Sequence, residues 1–108
     1  CPLNGRTRNL IGRNELDKMK RSAIIINVAR GGIIDEQALA EALDADKIRG
    51  AALDVFTSEP INPDSPLLKI GDPCKLLASP HNAWSTVEAI DRLIGCVANN
   101  IREYLNNL

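Results

Sequence analysis

The chain has 108 residues, which is the size of one domain and enough to form a single hydrophobic core. Its 13 basic and 14 acidic residues are spread along the sequence and give a net charge of −1, so no basic patch indicates nucleic-acid binding. Its purely apolar runs are only a few residues long, whereas a membrane-spanning helix needs roughly 20.

The three cysteines, Cys1, Cys74 and Cys96, are odd in number and have no CxxC spacing. This pattern predicts reduced thiols in a cytoplasmic protein rather than a disulfide framework. With only one histidine in the chain, we also expect no metal site. The chain begins at Cys1-Pro2 with no initiator methionine or signal peptide, so we expect it to be part of a longer protein.

The first predicted elements are a short helix and a buried strand. Asn14 is the expected N-cap of the helix. The β-branched run over residues 23–28 then predicts a strand that is buried on both faces of a parallel sheet. Gly31 and Gly32 interrupt this run, which places Arg30 at the carboxyl end of the strand.

A second helix and a second strand follow. Asp35 is predicted to cap a helix that runs from Glu36 to about Asp46. The apolar run over residues 51–56 predicts the next strand, and it contains a carboxylate, Asp54. A buried carboxylate must be paired or hydrogen-bonded, and both a ligand contact and a local turn cap would satisfy it.

The remaining segments are a loop, a third strand and a long helix. Residues 57–73 carry four of the six prolines and predict a loop. Residues 75–79 predict a third strand, which is followed at once by Pro80-His81. The final segment, 86–108, has an apolar stripe at helical spacing, with Ser85 and Glu88 as an expected capping box. Part of that stripe is expected to pack on something outside this sequence.

The alternation of helices and strands predicts an α/β fold with a parallel sheet. The carboxyl ends of parallel strands lie at one edge of the sheet, where ligands bind in such folds. Arg30 follows the first strand, Glu59 follows the second and His81 follows the third. The topology therefore predicts that a cation, a carboxylate and the only histidine meet at this edge.

These side-chain types fit the reduction of a carbonyl group or the reverse reaction. His81 could transfer a proton, Glu59 could orient its ring, and Arg30 could bind a substrate carboxylate. Each residue taken alone also fits an ordinary structural role, as a surface arginine, a solvated glutamate or a histidine in a turn. A serine nucleophile is less consistent with the sequence, because the GxSxG elbow is absent.

The motifs INVARGG, GAALDVF, SEP and SPHNAW, in this order, resemble the second half of the coenzyme domain of the D-isomer-specific 2-hydroxyacid dehydrogenases. This resemblance covers essentially the whole chain. It implies the C-terminal half of a doubly wound, Rossmann-like sheet, with about three parallel strands, flanking helices and a long C-terminal helix. Residues 1–108 would be a partial dinucleotide-binding domain, and 86–108 would lead toward a separate substrate domain.

The resemblance also implies roles for individual residues. Arg30 would bind the substrate, Glu59 would be the partner of the histidine, and His81 would be the acid/base that assists hydride transfer. Asp54 would contact the nicotinamide carboxamide. The positions implied to line the cofactor are Cys1, Val28, Ala29, Arg30, Asp54, His81 and Ala83. The cofactor would be NAD, with NADP not distinguished, because the GxGxxG loop would lie upstream of Cys1.

The implied substrate is a small 2-keto or 2-hydroxy acid, and Trp84 resembles the glycerate dehydrogenase or hydroxypyruvate reductase branch. The parent protein is expected to be a homodimer without nucleic-acid or membrane partners. This chain alone is expected to be inactive and, with an exposed strand edge, to self-associate. The alternative function is a dinucleotide-sensing, non-catalytic binding protein, similar to the dehydrogenase-like transcriptional corepressors.

Overall fold

The computed structural model describes residues 1–108 and contains one parallel sheet of three strands in the order β1-β2-β3. The strands are β1 (Ile24–Asn27), β2 (Gly50–Leu53) and β3 (Leu76–Ala78). The helices are α1 (Arg13–Leu16), α2 (Glu36–Asp44) and α3 (Val87–Asn106), with 3₁₀ turns at Pro66–Lys69 and Pro73–Lys75. The α/β fold with three parallel strands and a long C-terminal helix is therefore confirmed.

One face of the sheet packs on α2 and forms the core. The buried side of α2 contributes Leu39 and Leu43, and the sheet contributes Ala51 and Leu53. Asp35 caps α2 as predicted, since its Oδ1 accepts hydrogen bonds from the amides of Gln37 and Ala38 at 3.0 and 3.1 Å. This packing fixes the carboxyl ends of the strands, from which the candidate site is built.

The opposite face of the sheet is exposed. The strand register aligns Ile26 with Ala52 and Ala52 with Leu77, so these side chains share that face. Ile26 is 67% exposed and Leu77 is 71% exposed. The prediction that the first strand is buried on both faces is therefore wrong, because no helix of this chain covers the second face.

The helix α3 has no buried residue. Its N-cap is Thr86, one residue later than predicted, and Thr86 Oγ1 accepts a hydrogen bond from the amide of Ala89 at 3.2 Å. The predicted capping box at Ser85 and Glu88 is therefore wrong, and the Ser85 hydroxyl instead donates to the carbonyl of Asn82. The helix ends at Asn106, slightly short of the predicted end at residue 108. None of the helices has the length and hydropathy that a membrane span requires.

The helix α1 also has a different cap from the one predicted. Gly12 is its N-cap, and the amide of Gly12 donates to Glu15 Oε2 at 3.0 Å. Asn14 lies inside the helix, so its assignment as the cap is wrong. A glycine N-cap has no side-chain acceptor, and the glutamate three residues later satisfies the free backbone amide instead.

Candidate active site

The end of β1 is closed by a buried side chain, that of Asn27. Its Nδ2 donates to the carbonyl of Arg30 at 2.9 Å, and its Oδ1 accepts from the amide of Ala29 at 3.0 Å. These two bonds form a turn that presents Arg30 at the strand end. Asn27 was not among the predicted site residues, although an asparagine near the end of an apolar run is a typical signal for such a turn.

The loops after β1 and β2 touch at Gly31. A Cβ atom on this residue would lie 1.8 Å from the carbonyl oxygen of Phe56, so only glycine allows the two backbones to approach this closely. Phe56 precedes the loop that carries Glu59. Gly31, in the loop after β1, therefore brings the loops of Arg30 and Glu59 together.

Asp54 lies after β2 and is only 3% exposed. Its Oδ1 accepts from the hydroxyl of Ser79 at 2.6 Å and from the amide of Asn82 at 3.0 Å, and its Oδ2 accepts from the amide of Ala83 at 2.9 Å. The Ser79 hydroxyl is the largest influence that lowers the pKa of Asp54, and the two amides lower it further against the opposing effect of burial. Asp54 is thus a turn cap for the loop that carries His81, and the sequence did not indicate its partner Ser79.

Glu59 and His81 are in direct contact, with 2.6 Å between Glu59 Oε2 and His81 Nδ1. The other carboxylate oxygen, Oε1, accepts the amide of Phe56 at 3.0 Å. The Phe56 amide and then His81 lower the pKa of Glu59 below 4.5, while the charge of Asp54 opposes this effect. An ionised Glu59 keeps a proton on Nδ1 and leaves Nε2 of the ring as the atom available to a ligand.

A cleft of about 330 Å³ lies beside this pair. It is lined by Val28, Arg30, Asp54, His81, Ala83 and Trp84. No acidic side chain forms an ion pair with Arg30, whose Nη1 donates only to the carbonyl of Ala29 at 2.7 Å. The guanidinium therefore retains free donors that suit a carboxylate ligand.

A second cleft, of about 560 Å³, adjoins the first and shares Val28 and Arg30 with it. It is also lined by Cys1, Pro2, Leu3 and Ala29. All seven residues expected to line a cofactor thus lie on these two clefts. Glu59 does not, since it lines a separate pocket with Pro60 and Pro80, and His81 borders both this pocket and the first cleft. This position suits a residue that holds the imidazole rather than one that touches a ligand in the cleft.

Comparisons with known proteins place this chain among dehydrogenases and reductases. Residues 1–83 match the family model described as "D-isomer specific 2-hydroxyacid dehydrogenase, NAD binding domain". The chain is 44% identical to glyoxylate/hydroxypyruvate reductase B of Pectobacterium carotovorum subsp. carotovorum, over 94% of this chain and 33% of that protein. It is 48% identical to D-3-phosphoglycerate dehydrogenase of Methanocaldococcus jannaschii, over 96% of this chain and 19% of that protein.

A solved structure of an acyclic imino acid reductase in complex with NADPH and D-Arg superposes with a TM-score of 0.84 and 34% sequence identity. That superposition covers 99% of this chain and 33% of the reductase. The chain therefore spans a third or less of the length of these proteins. Since the family model matches most of its length, the chain belongs to the D-isomer-specific 2-hydroxyacid dehydrogenase family, and the match to the NAD-binding domain of that family covers residues 1–83.

Proposed function

We propose that the protein containing this chain is an NAD(P)-dependent oxidoreductase that transfers a hydride between nicotinamide and a small 2-keto or 2-hydroxy acid. A hydroxypyruvate- or glycerate-like substrate is favoured. The observation that carries the proposal is the contact between Glu59 and His81 beside a cleft that contains the unpaired Arg30. Family membership favours this function over a non-catalytic dinucleotide sensor, for which an acid/base pair would have no chemical use.

In the direction of reduction, the free Nε2 of a protonated His81 donates a proton to the carbonyl oxygen of the substrate. The carboxylate of Glu59 stabilises the protonated imidazole before this transfer and orients its ring throughout. Arg30 binds the carboxylate of the substrate, and its charge also stabilises negative charge that develops on the carbonyl oxygen. The nicotinamide, when bound, supplies the hydride.

The residues of the two clefts fit the nicotinamide end of such a cofactor. Val28, Ala29 and Ala83 offer an apolar wall for the ring, and the side chain of Val28 is exposed. Asp54 Oδ2 accepts a single hydrogen bond, which leaves it able to accept one from a carboxamide. Cys1 also lines the second cleft.

The chain contains no glycine-rich loop for the pyrophosphate, so its residues fit only this end of the cofactor. Residues 1–108 are accordingly proposed to be a partial dinucleotide-binding domain, with 86–108 leading toward a substrate domain. A homodimeric parent protein in the cytoplasm is part of the same proposal. The 108-residue chain by itself is expected to be inactive.

The function is tested by assaying the full-length protein with NADH or NADPH on hydroxypyruvate, glyoxylate and pyruvate. We expect His81→Gln to lower kcat by about 100-fold or more, because glutamine cannot transfer the proton. Lys69→Gln, an exposed change outside the clefts, serves as the control and should leave kcat unchanged. Undiminished turnover in His81→Gln would contradict the acid/base role, and cofactor binding without turnover of any keto acid would favour the sensor.

A further inference from the structure

The backbone of His81 adopts an unusual conformation. Its φ angle of 53° lies in the left-handed region, which is unfavourable for a residue with a Cβ atom. Such a residue persists only when its surroundings fix it in place. Asp54 holds the amides of the two residues that follow His81, and Glu59 holds its ring. Its own carbonyl group needs a separate partner.

That partner is the side chain of Trp84. The indole Nε1–H donates to the carbonyl oxygen of His81 at 3.0 Å. Trp84 is 60% exposed, so it does not act as a core residue, and its ring lines the same cleft as Arg30 and His81. The hydrogen bond therefore closes a turn between His81, the proposed acid/base, and the indole of Trp84 three residues later.

We propose that Trp84 is a positioning residue, whose indole N–H holds the carbonyl of His81 and thereby keeps the imidazole of His81 against Glu59. The inference rests on the proposed function, in which His81 and Glu59 form the acid/base pair. A rotation of the His81 backbone out of the left-handed region would move its Cβ atom and swing Nδ1 away from Glu59. A charge-assisted bond as short as 2.6 Å does not tolerate such a displacement.

The carboxyl group of Glu59 provides a direct readout of this geometry. The groups that influence its ionisation are the Phe56 amide, the His81 ring and the charge of Asp54. Only the His81 contact depends on Trp84, since the indole bonds to no other residue. Weakening the positioning of His81 should therefore raise the pKa of Glu59 toward its ordinary value and leave the Phe56 contribution in place.

The experiment compares Trp84→Phe with Ser85→Ala in the 108-residue chain. Both variants remove one side-chain donor from the same turn, but the Ser85 hydroxyl donates to the carbonyl of Asn82 at 2.7 Å rather than to that of His81. The titration of Glu59 is followed by ¹³C NMR of its carboxyl carbon. We expect an upward shift of the pKa of Glu59 in Trp84→Phe and no shift in Ser85→Ala.

A third variant separates the N–H group from the aromatic ring. Benzothienylalanine at position 84 has the shape of tryptophan with sulfur in place of the N–H group, and it should shift the pKa of Glu59 as Trp84→Phe does. If Trp84→Phe unfolds the chain, this isosteric variant decides the question. A pKa of Glu59 that stays at the wild-type value in folded variants without the N–H group would overturn the proposal. None of these measurements needs turnover, so their outcome is independent of the kinetic test of His81→Gln.

Discussion

Asp54 carries the most hydrogen bonds of any side chain at the candidate site. Its carboxylate accepts hydrogen bonds from the Ser79 hydroxyl and from the amides of Asn82 and Ala83. Ser79 precedes His81 in the sequence, and the other two residues follow it. A carboxylate is suited to this position because it has acceptors only. Any replacement that introduces a donor leaves one of these three groups without a partner inside the protein.

We expect Asp54→Asn to lower the free energy of unfolding at neutral pH for this reason. The pKa of Asp54 in the folded chain lies below its ordinary value of 3.8, so the carboxylate contributes stability above that pH and loses it as the pH falls. The stability difference between wild type and Asp54→Asn should therefore shrink as the pH is lowered from 7 to about 3. Urea unfolding at several pH values measures it.

The control for this prediction is Asp64→Asn. The side chain of Asp64 is 93% exposed and makes only a 3.8 Å contact with Lys69, so its replacement should change stability little at any pH. A difference between wild type and Asp54→Asn that stays constant down to pH 3 would contradict the proposed role of the ionised carboxylate.

Among the elements, the helix α2 connects the hydrophobic core to the candidate site. It packs on one face of the sheet, and its N-terminal cap follows directly after the loop that carries Arg30. The side chain of Asp35 closes this cap through the amides of Gln37 and Ala38. The strength of the cap therefore influences the stability of the core directly.

We expect Asp35→Ala to cost about 1 kcal/mol of unfolding free energy, because the first turn of α2 loses both capping bonds. Asp35→Ser retains a capping oxygen and should preserve most of the stability. Thr86→Ala removes the cap of α3 instead, and it should reduce helicity without weakening the core, since α3 buries no residue. Circular dichroism during urea unfolding separates these effects, and an equal loss from Asp35→Ala and Asp35→Ser would contradict the capping role.

The helices α2 and α3 and the strand β1 show which features of the fold could be predicted from the sequence. The helix α2 was predictable because its apolar spacing and its aspartate cap are local signals that agree with each other. The cap of α3 was placed one residue early, because Ser85 and Thr86 are both good caps and only the path of the backbone selects between them. The prediction that β1 is buried on both faces was wrong. An apolar run shows that both faces of a strand tend to be buried, but it does not show which element packs on each face.

At the candidate site, too, some contacts could be predicted from the sequence and others could not. The meeting of Glu59 and His81 followed from the rule that parallel strands end at one edge of the sheet, without any knowledge of side-chain orientation. The hydrogen bonds between Asp54 and the His81 loop, and between Trp84 and the His81 carbonyl, could not be predicted from the sequence. They depend on a left-handed turn at His81, and nothing in the residue types of this segment requires that conformation.

At the scale of the whole molecule, the chain has two uncovered apolar surfaces. One is the outer face of the sheet, with Ile24, Ile26 and Leu77, and the other is the stripe of α3. The strand β1 is also an edge strand with one unpaired side. Surfaces of this kind favour association with other copies of the chain.

We therefore expect the 108-residue chain to self-associate at concentrations of tens of micromolar. Ile26→Lys should reduce this association, because it places a charge on the exposed sheet face, at the edge strand β1. Ile101→Lys makes the equivalent change on α3 and shows whether the helix takes part. Sedimentation velocity measures all three proteins, and a clean wild-type monomer under these conditions would contradict the prediction.

The bond between Trp84 and His81 has a practical consequence. The chain has a single tryptophan and a single histidine, and they are hydrogen-bonded neighbours on the wall of one cleft. Fluorescence excited selectively at the indole therefore originates only from the candidate site, and the imidazole proton resonances in an NMR spectrum belong to one known residue. The chain thus carries its own spectroscopic probes, with which reduced nicotinamide mononucleotide and small keto acids can be titrated without any label.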